Sequence, residues 1–407
     1  MKSYDMPIFA ALIAVLLFAP LALYPVFLMK VLCFALFAVA FNLLIGYVGL
    51  LSFGHAMFFG FAAYISAYTV KSWGWSPEFG ILGGTAVAML MGVVAGSIAI
   101  RRQGIYFAMV TLALAQMVFF FCLQAPFTGG EDGIQAVPRR PMFGFLDISN
   151  DLVLYYVVLV IFAAGFLIIH RTIHSPFGQV LKAIRENEQR AVSLGYKIDH
   201  YKLMAFVISA TLSGLAGATK AIVFQLASLT DVTWQMSGEV VLMTLVGGMG
   251  TVFGPIAGAA VIITMQNYLA GFGEWVLVIQ GVIFVVTVLL FRRGIVGEIT
   301  AYLRARSAAK AAAASRWRSP DGLKSRQPEP KAPLLCRGGA LVLNAVVRLT
   351  DHVRGNAHRR DPVGIYDRLA PLDLVHVLHA LDHVAPDCVL AVKEARVVEA
   401  NEKLAIG

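Results

Sequence analysis

The sequence predicts an all-α polytopic membrane protein, with about 8–10 transmembrane helices and some broken or re-entrant segments among them. The chain has 407 residues, of which 58% are hydrophobic and 14% are charged, whereas soluble domains carry about 25% charged residues. The apolar runs 9–28, 31–47, 81–100 and 152–169 hold no charge. Each approaches the roughly 20 residues that cross a bilayer as a helix.

We place ten spans along the chain, at 7–28, 31–48, 53–71, 79–100, 104–125, 152–170, 203–226, 237–251, 254–271 and 275–291. Span 237–251 is short and Gly-rich, and the stretch 46–60 has the same character. Backbone of this kind is tolerated at membrane depth only where protein or a water-filled cavity covers it. Two such interruptions indicate a substrate pathway. Eight spans with two re-entrant segments would give the same sidedness.

The basic residues predict that both termini are cytoplasmic. With ten spans, one side receives eleven basic residues: Lys2, Arg101, Arg102, Arg171, Lys182, Arg185, Arg190, Lys197, Lys202, Arg292 and Arg293. The other side receives only Lys30, Lys71, Arg139 and Arg140. Because basic loops stay inside, the first group marks the cytoplasm. We interpret the first span as retained in the mature protein, the alternative being a cleaved signal segment.

Two loops are longer than connectors need to be. The outer loop 126–151 is rich in Gly and Pro and predicts an ordered lid or docking surface. The inner loop 171–202 carries a helical pattern over 179–194, and Gly195 follows it as a helix-ending residue would. This helix either rests on the lipid surface or docks a cytoplasmic partner.

Several motifs occur together along 1–300. They are Asn42-Leu-Leu-Ile-Gly-Tyr-Val-Gly-Leu-Leu-Ser-Phe-Gly-His55, Gly104-Ile-Tyr-Phe107, Thr128-Gly-Gly-Glu-Asp-Gly133, Ala183-Ile-Arg-Glu-Asn-Glu188 and Gly247-Gly-Met-Gly-Thr251. In combination they resemble the permeases of branched-chain amino acid ABC importers. The family's Glu-Ala-Ala…Gly element is replaced here by Glu-Asn-Glu-Gln-Arg-Ala, so either acid, Glu186 or Glu188, can fill the family's acidic position.

The resemblance implies an ABC importer permease fold and a division of residues into two sites. The residues that would couple the chain to an ATPase are Arg185, Glu186, Glu188, Ala191 and Gly195. Those that would border the substrate pathway are Asn42, Gly46, Gly49, Ser52, Gly54 and His55. His55 either holds a broken helix together or offers a polar contact to the substrate. Lys220 lies in a small-residue span, and we expect it to extend toward water near the outer end.

The resemblance also implies the partners and the class of function. They are a homologous second permease, two ATP-binding subunits and a periplasmic binding protein, in a bacterial inner membrane. The chain would be a transport subunit and not an enzyme, without a cofactor, a metal or nucleic acid. A urea or short-chain amide importer of the same architecture is the alternative. A secondary transporter or channel is a further one, which the lack of an embedded acidic pair disfavours.

The charge distribution separates a permease domain, 1–303, from the rest of the chain. Residues 1–303 hold 16 basic and 13 acidic residues, whereas 304–407 hold 17 and 11. The segment 304–333 is basic and then Pro-rich, which predicts a linker. Residues 334–407 form a cytoplasmic tail of unknown role without likeness to the family, either a small appendix or a non-native extension. His376, His379 and His383 there share a helical face, and chance explains them better than a metal site.

Overall fold

The computed structural model describes residues 5–298 apart from 22, 143, 145–146, 270, 272–277, 283, 286–293 and 295. These residues belong to a compact unit that spans Met1–Arg316. The predicted linker 304–333, the tail 334–407 and most of the predicted span 275–291 lie outside the described residues.

Helices form nearly all of the described secondary structure. They are α1 Asp5–Phe18, α2 Pro25–Asn42, α3 His55–Lys71, α4 Pro77–Ala99, α5 Ile105–Gln124, α6 Asp151–His174, α7 Pro176–Glu186, α8 Glu188–Ser193, α9 Ile198–Phe224, α10 Trp234–Gly247 and α11 Gly254–Leu269. A π-helical turn, Leu43–Val48, continues α2. Two strands of two residues, β1 Ile134–Gln135 and β2 Leu226–Ala227, pair antiparallel. The all-α class is confirmed.

Among the residues that the structure describes, five helices are long and apolar enough to cross a membrane: Pro25–Val48, which joins α2 to the π turn, together with α4, α5, α6 and α9. The apolar helices α3, α10 and α11 have 17, 14 and 16 residues. These three adjoin irregular segments, α3 after residues 49–54 and α10 and α11 on either side of residues 248–253. Short helices next to irregular backbone confirm the prediction of broken segments in a polytopic membrane protein.

The predicted boundary between the first two spans, near residue 30, is wrong. Helix α1 ends at Phe18 and a 3₁₀ turn covers Ala19–Leu21. Helix α2 then begins at Pro25, so Lys30 lies inside it and not in an outer loop. The reason is backbone chemistry: a proline has no N–H to donate and fits the first turn of a helix. The proline marks the boundary here, and the charge does not.

Helix α2 is the centre of the bundle. From Leu28 to Asn42 every residue is buried except Lys30 and Val31. It packs against α6, α9, α10 and α11, and α9 packs in turn against α3 and α4. The α3–α9 contact is close because Gly217 has no side chain, and a Cβ there would overlap the carbonyl oxygen of Phe59. Small residues commonly permit such approaches between membrane helices.

One end of the bundle is organised by the pairing of β1 with β2, and we call it the strand end. Ile134 pairs with Ala227 and Gln135 with Leu226. Arg139 holds the rest of this loop in place, since its guanidinium donates to Asp151 and to the carbonyl of Val223 at 2.7 Å each. Helix α9 begins beside α8 and ends beside β2, so α7 and α8 lie at the opposite end.

Candidate functional site

Two irregular segments interrupt the helices, and both were expected from their glycines. The first runs from the π turn Leu43–Val48 through residues 49–54, with Gly49 in the left-handed region at φ 84°. The second is 248–253, between α10 and α11, where Gly248 and Gly250 have φ of 116° and 73°. A π turn marks a local departure from helical pairing and occurs often at functional sites.

The side chain of Asn42 joins these two segments. Its Nδ2 donates to the carbonyl of Thr251 at 2.9 Å, and its Oδ1 accepts from the backbone N–H of Gly250 at 3.0 Å. One buried amide therefore satisfies two backbone groups that lie more than 200 positions away in the sequence. Gly46 lies against this contact, and a Cβ there would overlap Asn42 Oδ1 and come within 2.7 Å of Gly250 N.

His55 begins α3 and is fully buried, with both ring nitrogens in hydrogen bonds. Nε2 lies 2.9 Å from Ser209 Oγ, and Nδ1 lies 3.0 Å from Ser52 Oγ. The single hydroxyl proton of Ser209 goes to the carbonyl of Ala40 at 2.6 Å, so Nε2–H must donate to Ser209. Nδ1 then accepts from the Ser52 hydroxyl, which itself accepts from Gly54 N–H. A neutral imidazole satisfies every group in this network.

Aromatic rings enclose the His55 network. Phe41, Phe58 and Phe206 all meet the imidazole edge-on, with centroids 5.0–5.7 Å away. The structure thus places His55 and Ser52 in the protein interior. Within the segment 49–54, the exposed residues are Gly49 and Leu51.

Three small polar residues that sequence reasoning did not assign also hold this segment. Besides Ser209, Thr111 Oγ1 accepts from Phe53 N–H at 3.2 Å, and Ser237 Oγ accepts from Ala56 N–H at 3.0 Å. Gly54 packs so closely on α5 that a Cβ would lie 2.7 Å from the Thr111 carbonyl. The sequence did carry a signal for these three residues: each is a Ser or Thr within an apolar helix, and such residues often form hydrogen bonds between membrane helices.

The predicted single helix over 179–194 is wrong, because the chain breaks at Asn187. This residue is extended, with φ −156° and ψ 103°, and its side chain accepts from Arg190 N–H at 3.0 Å to cap α8. An Asn side chain that competes for backbone N–H groups favours such a break. Gly195 does end the second helix, as expected, with φ 85°.

Arg185 connects α7 to the interrupted helix. Its Nη1 donates to the carbonyl of Gly46, and its Cγ would lie 3.1 Å from a Cβ on Gly49. One turn earlier, the Lys182 ammonium lies 5.5 Å from the centroid of the Tyr47 ring. An open cleft of about 380 Å³ here is lined by Gly46, Tyr47, Lys182, Arg185, Glu186 and Gly250.

Of the other predicted coupling residues, Glu188 and Ala191 contact the rest of the protein, whereas Glu186 and Gly195 are exposed. The Glu188 carboxylate accepts from Lys202 Nζ at 2.8 Å and from Gln103 Nε2 at 2.7 Å. Ala191 is buried in a small cluster with Ile184 and Ile198. Glu186 is exposed and has no ion pair with any described residue. Gly195 is also exposed, with no neighbouring atom where a Cβ would lie.

The expectation that Lys220 extends to water is wrong. Its ammonium lies 2.5 and 2.6 Å from the two carboxylate oxygens of Asp231, in the 3₁₀ turn Leu229–Asp231. The two side chains are 12% and 2% exposed. Pairing with an acid offsets part of the cost of burying the charge.

Comparison with known proteins shows the family. Residues 25–288 match the family model described as the permease component of the branched-chain amino acid transport system. The chain belongs to this family. The match covers α2 to α11 and contains both irregular segments and the α7–α8 segment.

Individual relatives agree with the family match. The chain is 27% identical over 294 residues to the high-affinity branched-chain amino acid transport system permease protein LivM of Salmonella typhimurium, covering 65% of this chain and 68% of the relative. It is 28% identical over 282 residues to LivM of Escherichia coli, covering 62% and 65%. The ribose import permease protein RbsC of Bacillus subtilis is 28% identical over 196 residues, covering 44% and 58%. No solved structure matches.

We predict that Ser209→Ala destabilises the protein by about 1–3 kcal/mol, because it leaves the buried Nε2–H of His55 without a partner. Ser213→Ala is the matched control: Ser213 is also buried on α9, but its hydroxyl donates only to the Ser209 carbonyl one turn back, at 2.8 Å. Thermal unfolding of the two variants in detergent measures the difference. Equal unfolding midpoints would contradict the assigned network.

Proposed function

We propose that this chain is the permease subunit of a bacterial ABC importer for branched-chain amino acids. It would form half of the pathway beside a homologous permease, driven by two ATP-binding subunits and supplied by a periplasmic binding protein. The family match supports the class of function. The observation that carries the mechanism is the Arg185–Gly46 hydrogen bond, because it links an exposed two-helix segment to an interrupted transmembrane helix.

Charge supports a cytoplasmic position for the α7–α8 end. Basic residues near this end are Arg101, Arg102, Arg171, Lys182, Arg185, Arg190, Lys197 and Lys202. Among the described residues, the strand end holds only Lys71, the last residue of α3, and the loop residues Arg139 and Arg140 as basic residues outside helix interiors. Because basic residues are retained on the cytoplasmic side, the strand end faces the periplasm in this proposal and both termini face the cytoplasm.

In the proposed coupling step, an ATPase subunit docks on the exposed face around Glu186. The helices α7 and α8 then move together, because Ala191 of α8 is buried in one small core with Ile184 of α7. Arg185 passes this movement to the carbonyl of Gly46, and Asn42 passes it to residues 250–251. Displacement of both irregular segments would open or close the route along Gly49 and Leu51.

The substrate class is tested by uptake. The complete transporter, reconstituted in liposomes with its binding protein and ATP, is expected to accumulate leucine, isoleucine and valine. Urea and ribose serve as competing substrates, since the alternative reading is an amide importer and one relative is named as a ribose import permease. Uptake of urea or ribose without uptake of any branched-chain amino acid would refute the proposed function.

The two acidic residues of the α7–α8 segment are expected to behave differently. Glu186→Gln should lower uptake while leaving the fold intact, because Glu186 is exposed and unpaired among the described residues. Glu188→Gln should lower the unfolding temperature, because it weakens the charge-assisted bond from the nearly buried Lys202 ammonium. Gln189→Lys is the control, with the same change of net charge on the neighbouring exposed position. Uptake and thermal unfolding are measured for all three variants, and a wild-type uptake rate in Glu186→Gln would exclude a docking role.

Arg185→Met should uncouple ATP hydrolysis from transport, because it removes the hydrogen bond to Gly46 and keeps most of the side-chain volume. We expect uptake to fall about tenfold, as the loss of a charge-assisted hydrogen bond of about 1.5–3 kcal/mol would allow. Arg190→Met removes the same charge from an exposed position and should change uptake little. ATPase activity and uptake are compared in one preparation; equal uptake by both variants would show that Arg185 is not the link.

A further inference from the structure

The cleft of about 380 Å³ beside α7 is lined from two sides. Helix α7 contributes Lys182, Arg185 and Glu186, and the two irregular segments contribute Gly46, Tyr47 and Gly250. Pockets that bind small molecules commonly have volumes of roughly 300–1,000 Å³. The cleft is therefore large enough for a small molecule, and a molecule inside it would touch α7 and the interrupted helix together.

Two cationic side chains are held in place in this cleft. The Arg185 guanidinium donates through Nη1 to the carbonyl of Gly46. The Lys182 ammonium lies 5.5 Å from the centroid of the Tyr47 ring, within the range of a cation–π contact. Neither cation has an ion pair within 4.0 Å among the residues that the structure describes. Since a guanidinium has five N–H donors, Arg185 keeps donors for a second acceptor, and both cations are suited to a carboxylate.

One carboxylate, that of Glu186, borders the same cleft. Lys182 and Glu186 are four positions apart on α7, a separation at which opposite charges can pair. They do not pair here, because the Lys182 ammonium lies over the Tyr47 ring and Glu186 has no ion pair with any described residue. Separate cations and a separate carboxylate are complementary to a ligand that carries one carboxylate and one ammonium group. An inorganic anion such as phosphate would be repelled by Glu186.

The lining provides little to recognise the rest of such a ligand. None of the six lining residues has a branched aliphatic side chain, and two of them are glycines. The one aromatic ring, that of Tyr47, already has the Lys182 ammonium over it. Recognition in the cleft would therefore depend on the charged head group, which all α-amino acids share, and not on the side chain of the ligand.

We infer that this cleft binds the zwitterionic head group of an α-amino acid on the side of the membrane where the substrate is released. The Lys182 ammonium and the remaining N–H groups of Arg185 bind the carboxylate, and the Glu186 carboxylate binds the ammonium. The inference rests on the proposed function, in which the α7–α8 end faces the cytoplasm. It adds a binding site at which released amino acid acts back on its own import.

An amino acid in the cleft should slow transport for two reasons. It contacts α7 and both irregular segments, so it binds best to one arrangement of them and favours that arrangement. The proposed coupling step has to change this arrangement. The ligand also occupies the carboxylate of Glu186, around which the ATPase subunit docks in that step. Amino acid that accumulates in the cytoplasm is therefore expected to inhibit further import.

The first test measures import into liposomes that hold the complete transporter, with ATP inside and the loaded binding protein outside. Leucine or alanine trapped inside should lower the initial rate of labelled leucine uptake several-fold relative to trapped sorbitol. Alaninamide and N-acetylalanine, which each lack one of the two charges, should not lower it. Inhibition by leucine and not by alanine would indicate return of substrate into the pathway. That result, or no inhibition by either amino acid, would overturn the inference.

The second test changes the cleft. Lys182→Met should raise the internal alanine concentration that halves uptake by about tenfold, the effect of losing one charge-assisted contact. Lys197→Met is the matched control, because it removes the same charge from an exposed position at the same end of the bundle. Each variant is compared with its own uptake rate in the presence of trapped sorbitol. Equal half-inhibitory concentrations in the wild type and Lys182→Met would overturn the inference.

A binding measurement separates the site from transport. Labelled alanine is bound to the complete transporter in detergent, without binding protein or nucleotide. Its Kd should rise about tenfold in Lys182→Met and in Glu186→Gln, and should stay unchanged in Lys197→Met and Gln189→Lys, whose substitutions lie at exposed positions outside the cleft. If Lys182→Met does not assemble, Glu186→Gln decides alone. A Kd that neither cleft variant changes would overturn the inference.

The outcomes also separate the inference from the proposed function. A wild-type complex that imports no branched-chain amino acid refutes the function itself, whereas binding of alanine in the cleft is measured without import. Normal import that neither internal leucine nor internal alanine slows refutes only the inhibitory site.

Discussion

The architecture depends on one side-chain amide, that of Asn42. Irregular backbone inside a bilayer has no water to satisfy its N–H and C=O groups, so protein must supply the partners. Asn42 supplies two of them, to Gly250 and Thr251, from the last residue of the largely buried helix α2. The burial of α2 keeps this amide dry, and the missing side chain of Gly46 lets the two segments approach. Both interruptions are therefore held as one unit.

A second network holds the other side of the first interruption. His55, Ser52 and Ser209 form a chain of hydrogen bonds that ends on the carbonyl of Ala40, two residues before Asn42 in α2. The start of α3 and the end of α2 are thus fixed to α9 as well. Between these two fixed points lies the exposed part of the segment, Gly49 and Leu51, and it is here that Arg185 reaches in from α7. A movement of α7 would consequently act on a short stretch with firm supports on both sides.

The sequence predicted what depends on local composition. Long apolar runs predicted the spans, and clustered glycines predicted the two interruptions near 46–60 and 237–251. The motifs predicted the family to which the chain belongs. The helix boundary at Pro25 was predictable in principle, because proline at a first turn is a local signal; the charge of Lys30 was wrongly given more weight. The break at Asn187 was missed because a helical pattern continues through it, while one capping side chain ends the hydrogen bonding.

A single sequence could not predict which polar residues become hydrogen-bond or ion-pair partners when they are far apart in the chain. Nothing in the sequence near Lys220 indicates that a turn will bring Asp231 into an ion pair with it. Nothing near Asn42 indicates that its side chain will hydrogen-bond the carbonyl of Thr251. The same holds for Glu188, whose hydrogen-bond partners are Lys202 on α9 and Gln103 in the connection between α4 and α5. Each of these contacts satisfies a polar group in a place where water is scarce. Such requirements are general, but the residue that meets them is decided by packing, which only the folded chain shows.

The central claim is that movement of the α7–α8 segment reaches the interrupted helix through Arg185. Hydrogen–deuterium exchange of residues 43–54 tests it most directly, on the assembled transporter with and without a non-hydrolysable ATP analogue. The account predicts that nucleotide changes the exchange of this segment in the wild type and has little effect on it in Arg185→Met, while exchange within α7 responds in both. The claim would be contradicted if nucleotide did not change the exchange of residues 43–54 in the wild type, or if it changed that exchange equally in Arg185→Met.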